Sequence, residues 1–153
     1  MDRVLGVCYF VLLLVLPAVA GPDTGRFHRS EVPALLALPA LIVTILVCMF
    51  VHGAMIVNKH AETGMRIQED RHHQVVSSGP YRFVRHPFYI SVIVTQLVWP
   101  LVVGSLFAYV PALAIVALFV WSTAREDATL RAELQGYAQY ASRVRYRLLP
   151  GIW

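Results

Sequence analysis

Three long apolar runs alternate with polar segments along the chain. They cover residues 4–20, 32–57 and 88–123. A helix needs about 20 apolar residues to cross roughly 30 Å of hydrocarbon, and the third run is long enough to cross, turn and return. Gly104-Ser105, in the middle of that run, is typical of the turn. The pattern predicts about four transmembrane helices, of which the last two form a helical hairpin with arms 88–103 and 106–123.

The polar tail after the third run has helical periodicity. Its apolar stripe consists of Leu130, Leu134, Tyr137, Ala138 and Ala141. We expect one amphipathic helix over about 125–142, which packs on the bundle or lies in the interface. The predicted fold is therefore all-α, an integral membrane helical bundle in a single domain, 1–153. Residues 1–57 form two N-terminal spans, and residues 58–153 form a catalytic loop, the hairpin and the tail.

Composition agrees with a membrane protein. The chain is 58% hydrophobic and 14% charged, with mean hydropathy +0.60, whereas soluble domains carry roughly 25% charge. This excludes a disordered chain, a coiled coil and a disulfide scaffold. Cys8 and Cys48 lie inside apolar runs, so we expect them to be small buried hydrophobic residues. The basic residues flank apolar spans and do not form a nucleic-acid-binding surface.

The basic residues predict the orientation in the membrane. If all four spans cross, the N-terminus, the middle loop and the tail share one side and carry eleven of the thirteen Lys and Arg residues. Only Arg26 and Arg29 lie on the other side. The positive-inside rule therefore places the loop and tail in the cytoplasm. Arg3, a short apolar stretch and Ala18-Val19-Ala20 are also typical of a cleavable signal peptide, which leaves residue 21 outside in either case.

Candidate chemistry lies in the segment that enters the hairpin. Pro87 suits the first turn of a helix, which puts His86 at its N-terminus, where backbone N–H groups favour an anionic group. Arg82 and Arg85 add charges that can hold a carboxylate. The alternative is that these arginines extend to lipid headgroups while nearby aromatic residues form an interfacial belt.

An acidic pair, Glu126-Asp127, follows the last apolar run on the same side of the membrane. Carboxylates at such a position can bind an ammonium group or orient a base. The alternative is a solvated helix start with a salt bridge to Arg82 or Arg85. His60, His72, His73 and His86 lack the spacing of a metal site, so no metal is predicted.

Several of these groups occur together in one known family. They are Gly79-Pro80-Tyr81-Arg82-x-x-Arg85-His86-Pro87-x-Tyr89, Gly104-Ser105, Glu126-Asp127 and Tyr137-x-x-Tyr140-x-x-Arg143-Val144. On these residues the chain resembles the isoprenylcysteine carboxyl methyltransferase and phospholipid methyltransferase group of membrane enzymes, in particular the small bacterial members. The resemblance covers roughly residues 58–153, with Ser91 where many relatives have Gly. It implies a protein of a bacterial inner (plasma) membrane, and the count of basic residues predicts that the active site faces the cytoplasm.

The resemblance implies S-adenosylmethionine as methyl donor, bound between the hairpin and the C-terminal segment, and a lipophilic acceptor that enters from the bilayer. The expected cofactor-binding residues are Tyr81, Arg85, His86, Pro87, Tyr89, Glu126 and Asp127. The expected catalytic residues are Arg85, Glu126 and Arg143. Either arginine would orient a prenylcysteine-like carboxylate, whereas a thiol or amine acceptor needs a base, which could be Glu126, Asp127 or His86.

Two other functions remain open at this point. Sterol or steroid reductases also carry an Arg-His-Pro-x-Tyr-like segment and bind NADPH there, although they are generally longer. A non-catalytic, lipid-binding membrane protein is the alternative from a different functional class. The methyl acceptor itself, whether a carboxylate, thiol, amine or phospholipid, does not follow from the residues.

Overall fold

The computed structural model describes residues 3–58 and 75–153. Within these ranges every regular element is a helix, as the sequence predicts. The α-helices are α1 (Arg3–Pro22), α2 (Ala37–Val57), α3 (Pro87–Val103), α4 (Tyr109–Glu133) and α5 (Tyr137–Arg143). Lys59, His60, the 66–71 run and the His72-His73 pair, which the sequence singled out, lie outside the described residues.

Two helical segments are long and apolar enough to cross a membrane among the residues described. They are Val4–Phe27 and Ala34–Val57, each of 24 residues, and they correspond to the first two predicted spans. Helix α3 is apolar but has 17 residues, and the apolar part of α4 ends before Arg125. The all-helical fold is confirmed with two candidate membrane-spanning helices, while the count of four spans stays a prediction.

The four long helices form a row in which α2 packs on α3, α3 on α4, and α4 on α1. Small residues allow close approach between α1 and α4, where Leu16, Ala20, Ala108 and Ala112 form a buried cluster. Most other side chains of α1 and α2 are exposed. Cys8 and Cys48 are among them, so the expectation that they are buried is wrong. Such outward apolar surface is what lipid requires of a spanning helix.

The hairpin turn lies at the predicted position. Gly104 ends α3 in a left-handed conformation with φ 74°, which glycine adopts without steric cost. The Ser105 hydroxyl donates to Asp23 Oδ2 at 2.5 Å, and the Ser30 hydroxyl donates to the same oxygen at 2.5 Å. Asp23 and Ser105 are both buried. These bonds fix the turn to the segment that follows α1.

The tail differs from the expected single helix over 125–142. Helix α4 ends at Glu133, and α5 begins after Gly136, which has φ 83°. A left-handed residue cannot continue a right-handed helix, so the chain changes direction there. The new direction buries Tyr137, Tyr140 and Ala141 against Leu134, whereas Ala138 of the predicted stripe is exposed.

Candidate active site

The segment that leads into α3 is held from two sides. It begins with a 3-10 turn, Gly79–Arg82, which packs on the end of α2. The Tyr81 hydroxyl accepts a hydrogen bond from Asn58 Nδ2 at 2.8 Å, and the Tyr81 carbonyl accepts one from the Tyr140 hydroxyl at 2.8 Å. Tyr81 is thereby positioned between the end of α2 and helix α5.

Arg85 and His86 pair with the tail through their backbones. The Arg85 N–H donates to the Tyr146 carbonyl at 3.0 Å, and the His86 N–H donates to the Arg147 carbonyl at 2.9 Å. The Arg85 side chain adds bonds from Nη1 to the carbonyls of Val144 (2.8 Å) and Arg145 (2.7 Å). The residues just before α3 and the residues after α5 therefore form one unit.

Asp127 is the centre of this unit. It is completely buried and accepts hydrogen bonds from three guanidinium groups. Arg85 donates to its two oxygens at 2.7 and 3.1 Å, and Arg131 and Arg147 each donate to Oδ2 at 3.0 Å. The Tyr137 hydroxyl donates to Oδ1 at 2.9 Å. Each donor comes from a different segment, so this one carboxylate joins the loop, α4, α5 and the tail.

The surroundings of Asp127 keep it ionised. Burial raises the pKa of its carboxyl, but hydrogen bonds from His86, Arg85, Arg147 and Arg131 outweigh burial and hold the pKa well below its ordinary value. Burial and the charge of Asp127 raise the pKa of the Tyr137 phenol, so Tyr137 remains a neutral donor. Asp127 is therefore a charged group whose oxygens already have partners.

The neighbouring Glu126 has a different environment. It is partly exposed, and the Tyr89 hydroxyl donates to its Oε2. Tyr81 lies near enough that the charge of Glu126, after the larger effect of burial, raises the pKa of the Tyr81 phenol. Among the described residues no cation is paired with Glu126, so this carboxylate, flanked by two tyrosines, is open to a cationic ligand.

His86 contacts both Tyr89 and Asp127, and Pro87 follows it in the chain. His86 is 6% exposed and stacks on Tyr89 with ring centroids 5.7 Å apart and planes 10° apart. Its Nε2 is 3.5 Å from Asp127 Oδ1 and 3.4 Å from the Tyr137 hydroxyl. Pro87 occupies the first position of α3, as predicted, and it is buried. The stack fixes the ring of Tyr89 next to Glu126.

Residues 40–132 match the model of the isoprenylcysteine carboxyl methyltransferase (ICMT) family. The match covers more than half of the chain. The chain belongs to the ICMT family. The matched region includes most of α2, all of α3 and α4 nearly to its end, and with them Tyr81, Arg85, Glu126 and Asp127. No curated protein matches the chain.

Five of the seven residues expected to bind the cofactor of an ICMT-family enzyme are joined by contacts in the structure. Arg85, His86, Asp127, Tyr89 and Glu126 are connected through hydrogen bonds and ring stacking. Of the other two, Tyr81 lies near enough for the charge of Glu126 to raise the pKa of its phenol, and Pro87 follows His86 directly in the chain. Their roles in binding stay predictions.

Arg143 is separate from this group. It is exposed and lines a groove with Arg82 and Arg145. No described hydrogen bond or ion pair connects it to Glu126 or Asp127. Its expected role, to orient the acceptor of an ICMT-family enzyme, stays a prediction.

The sequence did not single out Arg131 and Arg147 beyond their charge. The Asp127–Arg131 spacing of four residues on one helix is a signal that points to Arg131. Arg147 has no such local signal, because its contact with Asp127 depends on how the tail folds back. Ser91, which replaces a glycine of many relatives, is buried and donates to the Pro87 carbonyl at 3.3 Å.

Proposed function

We propose that the protein transfers a methyl group from S-adenosylmethionine to a lipophilic acceptor at the cytoplasmic face of the membrane. Membership of the ICMT family supports methyl transfer as the reaction. The observation that carries the assignment of the donor is the partly exposed Glu126 carboxylate, which has Tyr89 bonded to it and Tyr81 beside it.

The chemistry of these residues fits two of the charged groups of the donor. A carboxylate binds the ammonium of the methionine part through charge-assisted hydrogen bonds. Aromatic rings attract a sulfonium through cation–π interactions. We assign the ammonium to Glu126 and not to Asp127, because the oxygens of Asp127 already accept hydrogen bonds from three arginines and Tyr137.

The carboxylate of the donor requires a cation other than Arg85, which the sequence suggested for this role. Most N–H groups of Arg85 are used by Asp127 and by two tail carbonyls. Arg131 and Arg147 bind Asp127 through Nε, and their side chains are 44% and 29% exposed. Their outer N–H groups can therefore hold a carboxylate, which a planar guanidinium binds in a bidentate manner.

S-adenosylmethionine supplies the activated methyl group, so the protein contributes mainly orientation and exclusion of water. The hydrogen bond from Tyr89 fixes Glu126, and the Arg85–Asp127 network fixes the segment that bears Tyr81 and Tyr89. A carboxylate acceptor, such as an isoprenylcysteine-like group, needs no base. A small thiol or amine acceptor needs a base, and because Glu126 holds the ammonium of the donor, we assign this role to His86. A phospholipid headgroup amine belongs to the same class of acceptor.

The test is calorimetric titration of the detergent-purified protein with S-adenosylmethionine and with S-adenosylhomocysteine. We expect saturable binding of both ligands by the wild type. Glu126→Gln keeps the shape of the side chain but removes its charge, so binding of each ligand weakens by at least about tenfold, the effect of losing one charged hydrogen bond. The matched control is Glu133→Gln, since Glu133 is exposed on the same helix and binding is unchanged.

Two outcomes contradict the proposal. If folded wild-type protein binds neither ligand, the donor is not S-adenosylmethionine, and NADPH titration then tests the reductase alternative. If Glu126→Gln and Glu133→Gln bind both ligands as tightly as the wild type, the donor lies elsewhere and the assignment of Glu126 is wrong.

A further inference from the structure

An open groove of about 260 Å³ lies between the segment before α3 and the tail. Its lining includes Arg82, Phe83, Arg143, Arg145, Tyr146 and Pro150. We call it the basic groove. It is smaller than the clefts of about 300–1,000 Å³ that enclose drug-sized ligands, and no carboxylate is among its lining residues. Its size and charge suit a small anionic group.

The three arginines of the basic groove differ from the other arginines whose side chains the structure describes. Arg26 and Arg29 lie over the ring of Phe27, and Arg125 lies over Trp121. Arg85, Arg131 and Arg147 share Asp127.

By contrast, the guanidinium groups of Arg82, Arg143 and Arg145 have no hydrogen bond, ion pair or ring contact with a described residue. Three exposed cations with no counter-charge among the described residues thus converge on one surface. Because like charges repel, an anion placed between them would stabilise this arrangement.

The position of the basic groove relates it to the membrane surface. Arg82 closes the 3-10 turn that packs on the end of α2, which is one of the two candidate spans. The side chain of Phe83 is 66% exposed, and the tail adds Tyr146 and Ile152, 39% and 79% exposed. Exposed apolar and aromatic side chains interleaved with arginines are typical of a surface that lies at the level of lipid headgroups.

We propose that the basic groove binds the phosphate group of an anionic phospholipid of the surrounding membrane. Guanidinium groups bind phosphate oxygens in a bidentate manner, and each arginine near an anionic membrane surface strengthens the attraction roughly fivefold. The exposed Phe83, Tyr146 and Ile152 contact the glycerol and acyl region of the same lipid. Glu126 is not among the residues that line the groove, and the inference does not depend on the identity of the methyl donor.

The experiment is a titration of the full chain, purified in a non-ionic detergent, with two short-chain lipids below their micelle concentrations. The anionic probe is dihexanoyl phosphatidylglycerol and the zwitterionic probe is dihexanoyl phosphatidylcholine. We expect the wild type to prefer the anionic lipid by at least about tenfold. A triple variant, Arg82→Gln, Arg143→Gln and Arg145→Gln, loses this preference. The matched control, Arg26→Gln with Arg29→Gln, keeps it.

Four outcomes overturn the proposal. The first is equal affinity of the wild type for the two lipids, and the second is an undiminished preference in the triple variant. The third is displacement of the anionic lipid by inorganic phosphate at similar concentration, which assigns the groove to a free phosphate. The fourth is displacement by a short-chain fatty carboxylate at similar concentration, which assigns it to the methyl acceptor and supports the role first predicted for Arg143.

A second measurement needs no variant. The preference of the wild type for the anionic lipid falls when the salt concentration rises from about 50 mM to about 500 mM, because salt screens exposed charges. A preference that does not respond to salt contradicts binding through the three exposed arginines.

Discussion

At the scale of single residues, two adjacent carboxylates have opposite environments. Successive residues of an α-helix point about 100° apart, so Asp127 faces the tail while Glu126 faces Tyr89. Asp127 is fully buried and accepts hydrogen bonds from three arginines, whereas Glu126 is partly exposed beside two tyrosines. We therefore expect Asp127 to support the fold and Glu126 to bind a ligand.

The variant Asp127→Asn tests whether Asp127 supports the fold. The amide keeps the shape but leaves the buried Arg85 without its counter-charge, and breaking a buried ion pair in this way costs about 3–5 kcal/mol of the free energy of unfolding. Thermal unfolding of the detergent-purified variant should have a clearly lower midpoint than the wild type. Glu133→Gln, at an exposed position of the same helix, is the matched control and should melt within about 0.5 kcal/mol of the wild type, as exposed substitutions do. Equal midpoints for the wild type and Asp127→Asn would refute the structural role.

The same residue predicts a dependence on pH. The pKa of Asp127 is lower in the folded protein than its ordinary value of 3.8, so its contribution to stability is complete above that value and is lost as the pH falls below it. The wild type should therefore lose stability more steeply than Asp127→Asn below about pH 4. Parallel losses of stability in the two proteins would show that other groups cause the acid sensitivity.

At the scale of elements, the sequence predicted the helices and the turn that depend on hydrophobic periodicity and on turn residues. Helices α1 and α2 and the turn at Gly104 follow from apolar runs and from a glycine in a turn position. The break between α4 and α5 did not follow, because Gly136 lies inside an apolar stripe of regular helical spacing. A single glycine is tolerated in many helices, and only tertiary packing of Leu134 against Tyr137 and Tyr140 shows that the helix ends here.

The site was predictable to the same degree. Residues close in sequence, such as His86 and Tyr89 or Glu126 and Asp127, could be recognised from motifs and helix ends. The role of Asp127 could not, since its partners Arg85 and Arg147 are 42 and 20 positions away along the chain. The packing of α4 determines whether Glu126 or Asp127 points towards the tail. The residues around this pair contain no signal that predicts which of the two does so.

Gly136→Ala tests the break between α4 and α5. Gly136 has φ 83°, and an L-residue with a Cβ atom pays about 1–2 kcal/mol in this left-handed conformation. We expect the variant to melt earlier than the wild type. The matched control is Gly53→Ala, because Gly53 lies inside α2 with open space around it, and alanine in a helix is favoured over glycine by about 0.5–1 kcal/mol. If both variants melt alike, the left-handed turn does not determine the direction of α5.

At the scale of the whole molecule, the two ends of the helix row have different character. One end is closed by Asp23, which binds the hydroxyls of Ser30 and Ser105. The other end carries Glu126, the Asp127 network and the basic groove. Because α3 and α4 form a hairpin, the segment before α3 and the tail after α4 meet at the same end. If this end lies at the membrane surface, as we propose, an aqueous donor and an acceptor from the lipid would both have access to it.

The orientation of these two ends in the membrane is the last prediction. With most basic residues at the site end, the positive-inside rule places Glu126 in the cytoplasm and Arg26 outside. In a background with Cys8→Ala and Cys48→Ala, we expect a membrane-impermeant maleimide to label Arg26→Cys on intact bacterial cells. Ser142→Cys, which is exposed at the site end, should be labelled only after permeabilisation. Labelling of Ser142→Cys on intact cells would place the site outside and exclude a cytoplasmic supply of donor.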